Sequence, residues 1–296
     1  MCDILAGVTD DWSVNPVIYL ILAILSSMMV SVVMRISEKY TGEGMGKLAV
    51  NYVMCCLLAW AFSGGMDIFP RQAGLGATLL MGLVNGFLYL AGFVMLQWNI
   101  SRNGVVLPST FMKLGVIVPT LMAILVFGEQ PRLTQLAGLL LAVVSIFVIQ
   151  GKGEKQKSGK VKIGGLILLM LAGGSADAMS KVFEETGNQA LKDQFLLYTF
   201  AVALVLCVLL VIAKKQRFGW KDAVFGLLIG IPNYFSARFL LLSLAEVPAM
   251  IVCPTFSVGT IVLVALAGVI LFKEKLNRRK MIGLVLILAA LVLLNI

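Results

Sequence analysis

Residues 106–129 read VLPSTFMKLGVIVPTLMAILVFGE and residues 251–274 read IVCPTFSVGTIVLVALAGVILFKE, two apolar segments that keep step at one constant offset. Thr110-Phe111 recurs as Thr255-Phe256, Phe127 as Phe272 and Glu129 as Glu274; just beyond, Gly138 recurs as Gly283. A second pair of segments agrees as well. Leu79, Leu80, Gly82, Asn85 and Phe87 return as Leu227, Leu228, Gly230, Asn233 and Phe235. A duplicated set of almost uncharged helices is the sequence signature of many secondary transporters.

Composition agrees with a lipid setting. Sixty per cent of residues are apolar and 13% are charged, with a mean hydropathy of +0.98, where a soluble domain carries roughly a quarter charged residues. The formal charge of +9 does not point to nucleic acid. Its basic residues lie between apolar segments, where they set orientation and meet anionic headgroups. The five cysteines, Cys2, Cys55, Cys56, Cys207 and Cys253, match no disulfide or metal spacing and read as small packing residues. Histidine is absent, which removes a Ser-His-Asp triad, a histidine metal cluster and a histidine proton relay. No cofactor and no metal are implied. Asn99-Ile100-Ser101 matches a glycosylation triplet, a pattern common by chance.

A span needs about 20 mostly apolar residues. The punctuation gives ten: 16–36, 47–64, 73–97, 104–127, 133–150, 163–183, 193–213, 223–244, 248–272 and 280–295. The leader lacks basic residues and carries Asp3, Asp10 and Asp11, so the first apolar run is expected to be retained. The tract 151–162 is polar and basic, and divides the chain into halves 1–150 and 163–296. Five spans per half is an odd number, so the second half enters the membrane in the opposite sense. The expected fold is an all-α integral membrane protein, ten transmembrane helices arranged as two inverted five-helix repeats. Loops on one face (37–47, 99–104, 151–162, 214–222 and 273–280) hold 17 Lys and Arg. The other face holds only Arg71, Arg132 and Lys192. Positive charge stays cytoplasmic, which puts both termini outside a multi-pass protein of the cell membrane.

These features together resemble the drug/metabolite transporter superfamily, in its ten-span form built from two EamA-type halves. The most telling pieces are Phe127-Gly128-Glu129 followed by Gly138, and Phe272-Lys273-Glu274 followed by Gly283. The resemblance spans nearly the whole chain. It implies a carrier for metabolites or small organic solutes, with a cavity lined mainly by the first, third, fourth, sixth, eighth and ninth spans. Many such proteins have both termini in the cytoplasm, opposite to the charge count here.

A charge at mid-bilayer costs roughly 2.5–3.5 kcal/mol, so it faces a cavity or a partner. Arg35 and Lys181 lie near span ends and can snorkel. Asp177 is an acid at depth, one turn from Lys181; it either pairs locally or lines the route. Lys113 is too deep to snorkel easily and shares a face with Thr110 and Thr120. The repeat places Val258 where Lys113 stands, so the scaffold does not demand the lysine. Arg238 and Tyr234, one turn apart, can offer a guanidinium and a phenol to a carboxylate or phosphate. Asn85 and Asn233 most simply join helices. Gly82, Asn85, Tyr89 and Gly92 form a stripe that packs a neighbour or lines a cavity. Glu129 and Glu274 sit at turns and read as caps.

The candidate solute-binding set is therefore Lys113, Arg238, Asp177, Tyr234, Tyr89, Thr110, Asn85 and Asn233. The expected partners are a small-molecule solute, the lipid bilayer, and a coupling proton or counter-solute. No Gly-x-x-x-x-Gly-Lys-Ser/Thr run is present, so ATP does not drive the chain directly. The lysine and arginine favour an amino-acid-like or organic-anion-like solute. The alternative is a proton-coupled exporter of lipophilic or organic cations using Asp177; a channel or membrane scaffold is a third reading, and an enzyme a poor one.

Overall fold

Inside a bilayer each backbone N–H and C=O must be satisfied within its own segment, so long apolar runs become helices. The computed structural model describes residues 16–41, 44–62, 68–118, 121–122, 132–150, 163–216, 218–246, 249–274 and 277–294. The first half contains α1 (Pro16–Thr41), α2 (Gly46–Phe62), α3 (Leu75–Asn103), α4 (Val106–Leu114) and α5 (Leu133–Gln150). The second contains α6 (Ile163–Thr186), α7 (Lys192–Ala213), α8 (Trp220–Glu246), α9 (Ala249–Phe272) and α10 (Arg278–Leu294). Among the described residues six helices are long and apolar enough to cross a membrane, and Gly46–Phe62 and Met281–Leu293 are apolar but shorter. The chain is thus a multi-pass membrane protein. The connecting tract 151–162, Glu129 and Thr120 lie outside the described residues.

One expected span is interrupted. The sequence predicts a continuous fourth helix over 104–127, but α4 ends at Leu114 and gives way to a turn at Gly115 and Val116. Pro119 supplies the reason, since it has no N–H to offer the carbonyl four residues back, at Gly115. Val118 takes that carbonyl instead, at 2.8 Å. Lys113 therefore stands at the end of a nine-residue helix.

The helices do not pack half by half. Helices α1, α2, α8 and α9 form one bundle, through α1–α8, α2–α8 and α1–α9 contacts. Helices α3, α4, α6 and α7 form the other, through α3–α6, α3–α7 and α4–α6. Each bundle thus mixes the halves, and these contacts interchange when each helix is replaced by its counterpart five places on. The bundles meet at α2–α7 and α4–α9, while α5 packs on α10 to one side. Both joining pairs run antiparallel. Met45 meets Cys207 at one end of α2–α7, and Leu57 and Trp60 line one groove with Leu197 and Tyr198 near the other. In α4–α9, Val106 abuts Gly268 while Lys113 reaches Phe256.

Glycine sets the closest approaches within the bundles. A Cβ on Gly86 would stand 2.6 Å from the Thr199 carbonyl and 2.7 Å from Val202 Cβ on α7. A Cβ on Gly230 would stand 2.7 Å from the Asn51 carbonyl and 2.7 Å from Met54 Cβ on α2. Gly82 against Tyr198 repeats as Gly226 against Val50. Small residues four apart let backbones touch where no hydrophobic force drives association. The packing thus pairs Gly82 with Gly226 and Gly86 with Gly230, one helical turn away from the Gly82–Gly230 match read in the sequence. A shift of four residues preserves the buried face, so apolar pattern alone does not distinguish the two registers.

The outer surface is apolar, as lipid requires, with Leu80, Leu140, Ile212 and Ile270 among its exposed side chains. Cys55, Cys56 and Cys207 are free thiols, two of them fully buried, in keeping with a packing role. Asn99 is buried and donates its amide to the Met95 and Gly165 carbonyls. That amide is spoken for, so the glycosylation triplet is a chance match.

Candidate functional site

Lys113 and Asp177 face one interior space. Lys113 comes from the last turn of α4 and Asp177 from the middle of α6, and the two interact by charge. Protein encloses both, yet Asp177 is exposed and Lys113 half-buried. A carboxylate left accessible at this depth calls for a polar space rather than acyl chains. Among the described residues no ion pair within contact distance closes Lys113 onto Asp177. The lysine ammonium instead lies 3.8 Å from the centre of the Phe256 ring of α9, a cation–π contact across the seam between bundles. Below them α4 and α6 approach through Gly115 and Gly174, where no side chain would fit.

Tyr89 of α3 borders the same space. It lies in the neighbourhood of Asp177, and its hydroxyl donates to Asn233 Oδ1 at 3.1 Å. Asn233 in turn donates to Asn51 Oδ1 at 3.1 Å and to the Cys55 sulfur. Asn85 donates to the Thr199 hydroxyl at 3.4 Å. Both asparagines are buried and donate their amide N–H groups across helices, the bridging role the sequence favoured. Gly82, Asn85, Tyr89 and Gly92 all turn towards α6, α7 or α8, so their stripe is largely a packing surface. Thr110 is buried and donates back to the Val106 carbonyl at 2.8 Å, which commits its proton to its own helix.

Arg238 and Tyr234 form a second group. The guanidinium donates to the Tyr234 hydroxyl at 3.0 Å and to Asp193 at 3.1 Å. It also lies 4.5 Å from the centre of the Phe62 ring. Asp193 sits in the first turn of α7, where a carboxylate meets the positive end of the helix. The ion pair is partly open, with side-chain exposures of 19% for Arg238 and 41% for Asp193. It joins α8 of one bundle to α7 of the other. The eight sequence candidates therefore separate into the Lys113–Asp177–Tyr89 chamber, the Arg238–Tyr234 cluster, and Asn85, Asn233 and Thr110 in the packing.

Sequence reading missed Asp193, Phe256 and Phe62. Phe256 was visible as half of the Thr-Phe repeat, but a repeated aromatic reads as scaffold. Asp193 carried a usable signal, an acid at a helix start beside an apolar run. Arg35 donates to the Ile100 carbonyl at 3.0 Å, tying α1 to the end of α3. A separate groove of about 740 Å³, lined by Leu57, Trp60, Phe69, Leu80 and Val202, opens on the outer face of α2, α3 and α7. Its walls are apolar and exposed, as expected of a surface bathed in acyl chains, and it holds none of the charged residues.

Comparison with known proteins gives a relative along nearly the whole chain, a similar fold and a family match over the second half. Over 287 residues the chain is 24% identical to an uncharacterized protein of Haemophilus influenzae, spanning 92% of this chain and 95% of that one. The fold is similar to that of a protein solved by crystallography, with a TM-score of 0.63 at 13% identity, covering 93% of this chain and 96% of that chain. Residues 163–296 match the EamA-like transporter family, a match that supports membership of the drug/metabolite transporter superfamily and a role in membrane transport.

Proposed function

We propose that the chain is a secondary transporter that moves a small metabolite across the cell membrane by alternating access. Ten spans form two inverted five-helix repeats, with both termini outside the cytoplasm. The antiparallel α2–α7 and α4–α9 pairs support this reading, because inversion makes counterpart helices antiparallel. The moving bodies are the two mixed bundles, which touch along α2–α7 and α4–α9 and enclose the chamber between them.

The observation that carries the proposal is the exposed Asp177 facing Lys113 in the interior. Opposite charges on facing walls, with Phe256 and Tyr89 beside them, suit a solute that carries a carboxylate, and best one that also carries an ammonium. An amino-acid-like solute meets both walls; an organic anion meets Lys113 alone. Lys113→Met should lower uptake into proteoliposomes about 30-fold or more, the effect of removing one partner of an enclosed charge pair, with the protein still monodisperse. Unchanged uptake rejects the role. The accessible carboxylate of Asp177 favours one other reading, a proton-coupled exporter of organic cations. A thermal-shift screen separates the two, since a bound solute raises the melting temperature by mass action. Amino acids should shift it and lipophilic cations should not; counterflow of the labelled hit then separates a carrier from a channel.

A further inference from the structure

The short helix α4 is gripped at both ends by α9, which belongs to the other bundle. At its start, the Val105 N–H donates to Glu274 Oε1 at 2.7 Å and the Val106 N–H faces Oε2 at 3.4 Å. At its end, the Lys113 ammonium lies on the Phe256 ring. The first grip is built in detail. Gly104 turns the chain with φ +78, and a Cβ there would stand 2.6 Å from Glu274 Oε1. Lys273 takes the left-handed region at φ 52, and the Glu274 N–H bonds back to the Gly268 carbonyl at 3.0 Å. That turn aims the carboxylate away from its own helix and into α4. Val106 packs against Gly268, where no side chain could stand.

At its other end α4 stops at the Gly115–Val116 turn, helix resumes at Ile117 and Val118, and the Gly115 backbone packs on Gly174 of α6. The nine-residue helix is thus carried by α6 of its own bundle, while a carboxylate of the other bundle holds its start. Other bonds cross between bundles at the same end: Gln216 accepts from the Met45 N–H at 2.7 Å, and Gln97 donates to the Gly44 carbonyl at 3.2 Å. Those two involve neutral amides, and Arg35 adds one guanidinium bond to the Ile100 carbonyl at 3.0 Å. Glu274 supplies a charged acceptor to two N–H groups at a helix start, a stronger arrangement.

We propose that Glu274 is a positioning residue that latches the two bundles together at the basic end. It lets go of Val105 and Val106 when that end opens, and α4 then carries Lys113 with it. The proposal rests on the carrier reading above and adds to it which end the latch closes and which group releases.

The test uses the full-length protein with spin labels on cysteines placed at Lys39 and Arg102, exposed positions near the ends of α1 and α3 in different bundles. Wild-type protein should show a main short distance and a minor longer one. Glu274→Gln and Glu274→Ala should raise the longer population about fivefold or more, the change expected from losing one charge-assisted hydrogen bond. A cap that only stabilises the fold would lower the melting temperature and leave the distances alone. Unchanged distances in either folded variant overturn the latch, as does a single short distance in wild-type protein that performs counterflow. Wild-type protein that fails counterflow with every solute sinks the carrier reading instead, while the distances still report on the latch.

Discussion

Helices α4 and α6 meet through Gly115 and Gly174, and their counterparts α9 and α1 meet through Gly259 and Ile24. The frames are alike but the chemistry on them differs. Where α4 carries Lys113, the repeat has Val258; where α6 carries Asp177, it has Ser31. Ser31 is buried and accepts from the Ser109 hydroxyl at 3.0 Å, whereas Asp177 is exposed to the chamber. Duplication explains the shared helix contacts. It does not explain a lysine and an aspartate that appear in one copy alone, and those two are the groups that an interior space leaves accessible.

Making the two contacts identical is the strongest way to break this contrast. Lys113→Val with Asp177→Ser turns the charged contact into a copy of the neutral one. Each single change leaves one charge without its opposite across the chamber, and transport should fall by about 30-fold or more. The double variant removes both charges together and should unfold close to the wild-type temperature, because no closed ion pair is lost. Its transport should stay lost. Thermal unfolding of the purified variants and uptake by proteoliposomes give the two readings. A double variant that transports like wild type would show that the charged contact is no more a site than its neutral twin.

A second test sharpens the shared side of the comparison. Gly86→Ala and Gly230→Ala put a methyl group against a backbone carbonyl and a neighbouring Cβ at nearly equal distances, in opposite bundles. Both should destabilise by about 1–3 kcal/mol, as overpacking does, and by similar amounts. Unequal losses in melting temperature would mean that the bundles are less alike than their closest approaches indicate.

Much of this was legible in the sequence because lipid imposes a simple rule. Apolar runs of span length become helices, and the repeated Phe-x-Glu pattern marked matching places along the sequence. Lys113 and Asp177 stood out because a deep charge requires a reason. Three features were hidden, each for its own cause. The mixing of halves within bundles depends on contacts between distant segments, to which local pattern is blind. The one-turn difference in register between α3 and α8 escapes notice because a helical face repeats nearly every four residues. The pairing of Arg238 with Asp193 joins two helices of the second half across the seam between bundles, and spacing along either helix gives no hint of it. Glu274 falls between these cases. Its place in a turn suggested a cap, but not that the helix it caps belongs to the other half.

The smallest expected effect concerns that same turn. In the second half Lys273 holds the left-handed region at φ 52, while the first half has Gly128 at the matching place. A residue with a Cβ pays roughly 1–2 kcal/mol there, and glycine does not. Glycine also frees the unfolded chain, which offsets part of the gain. Lys273→Gly should therefore stabilise by only about 0.5 kcal/mol, seen as a small rise in melting temperature. Because the turn aims Glu274 at Val105 and Val106, the distance between labels at Lys39 and Arg102 should not change if the turn keeps its shape. A lower melting temperature together with a longer distance would mean that the lysine side chain itself holds the turn. The second half would then have replaced a permissive glycine with a residue that helps to aim the carboxylate.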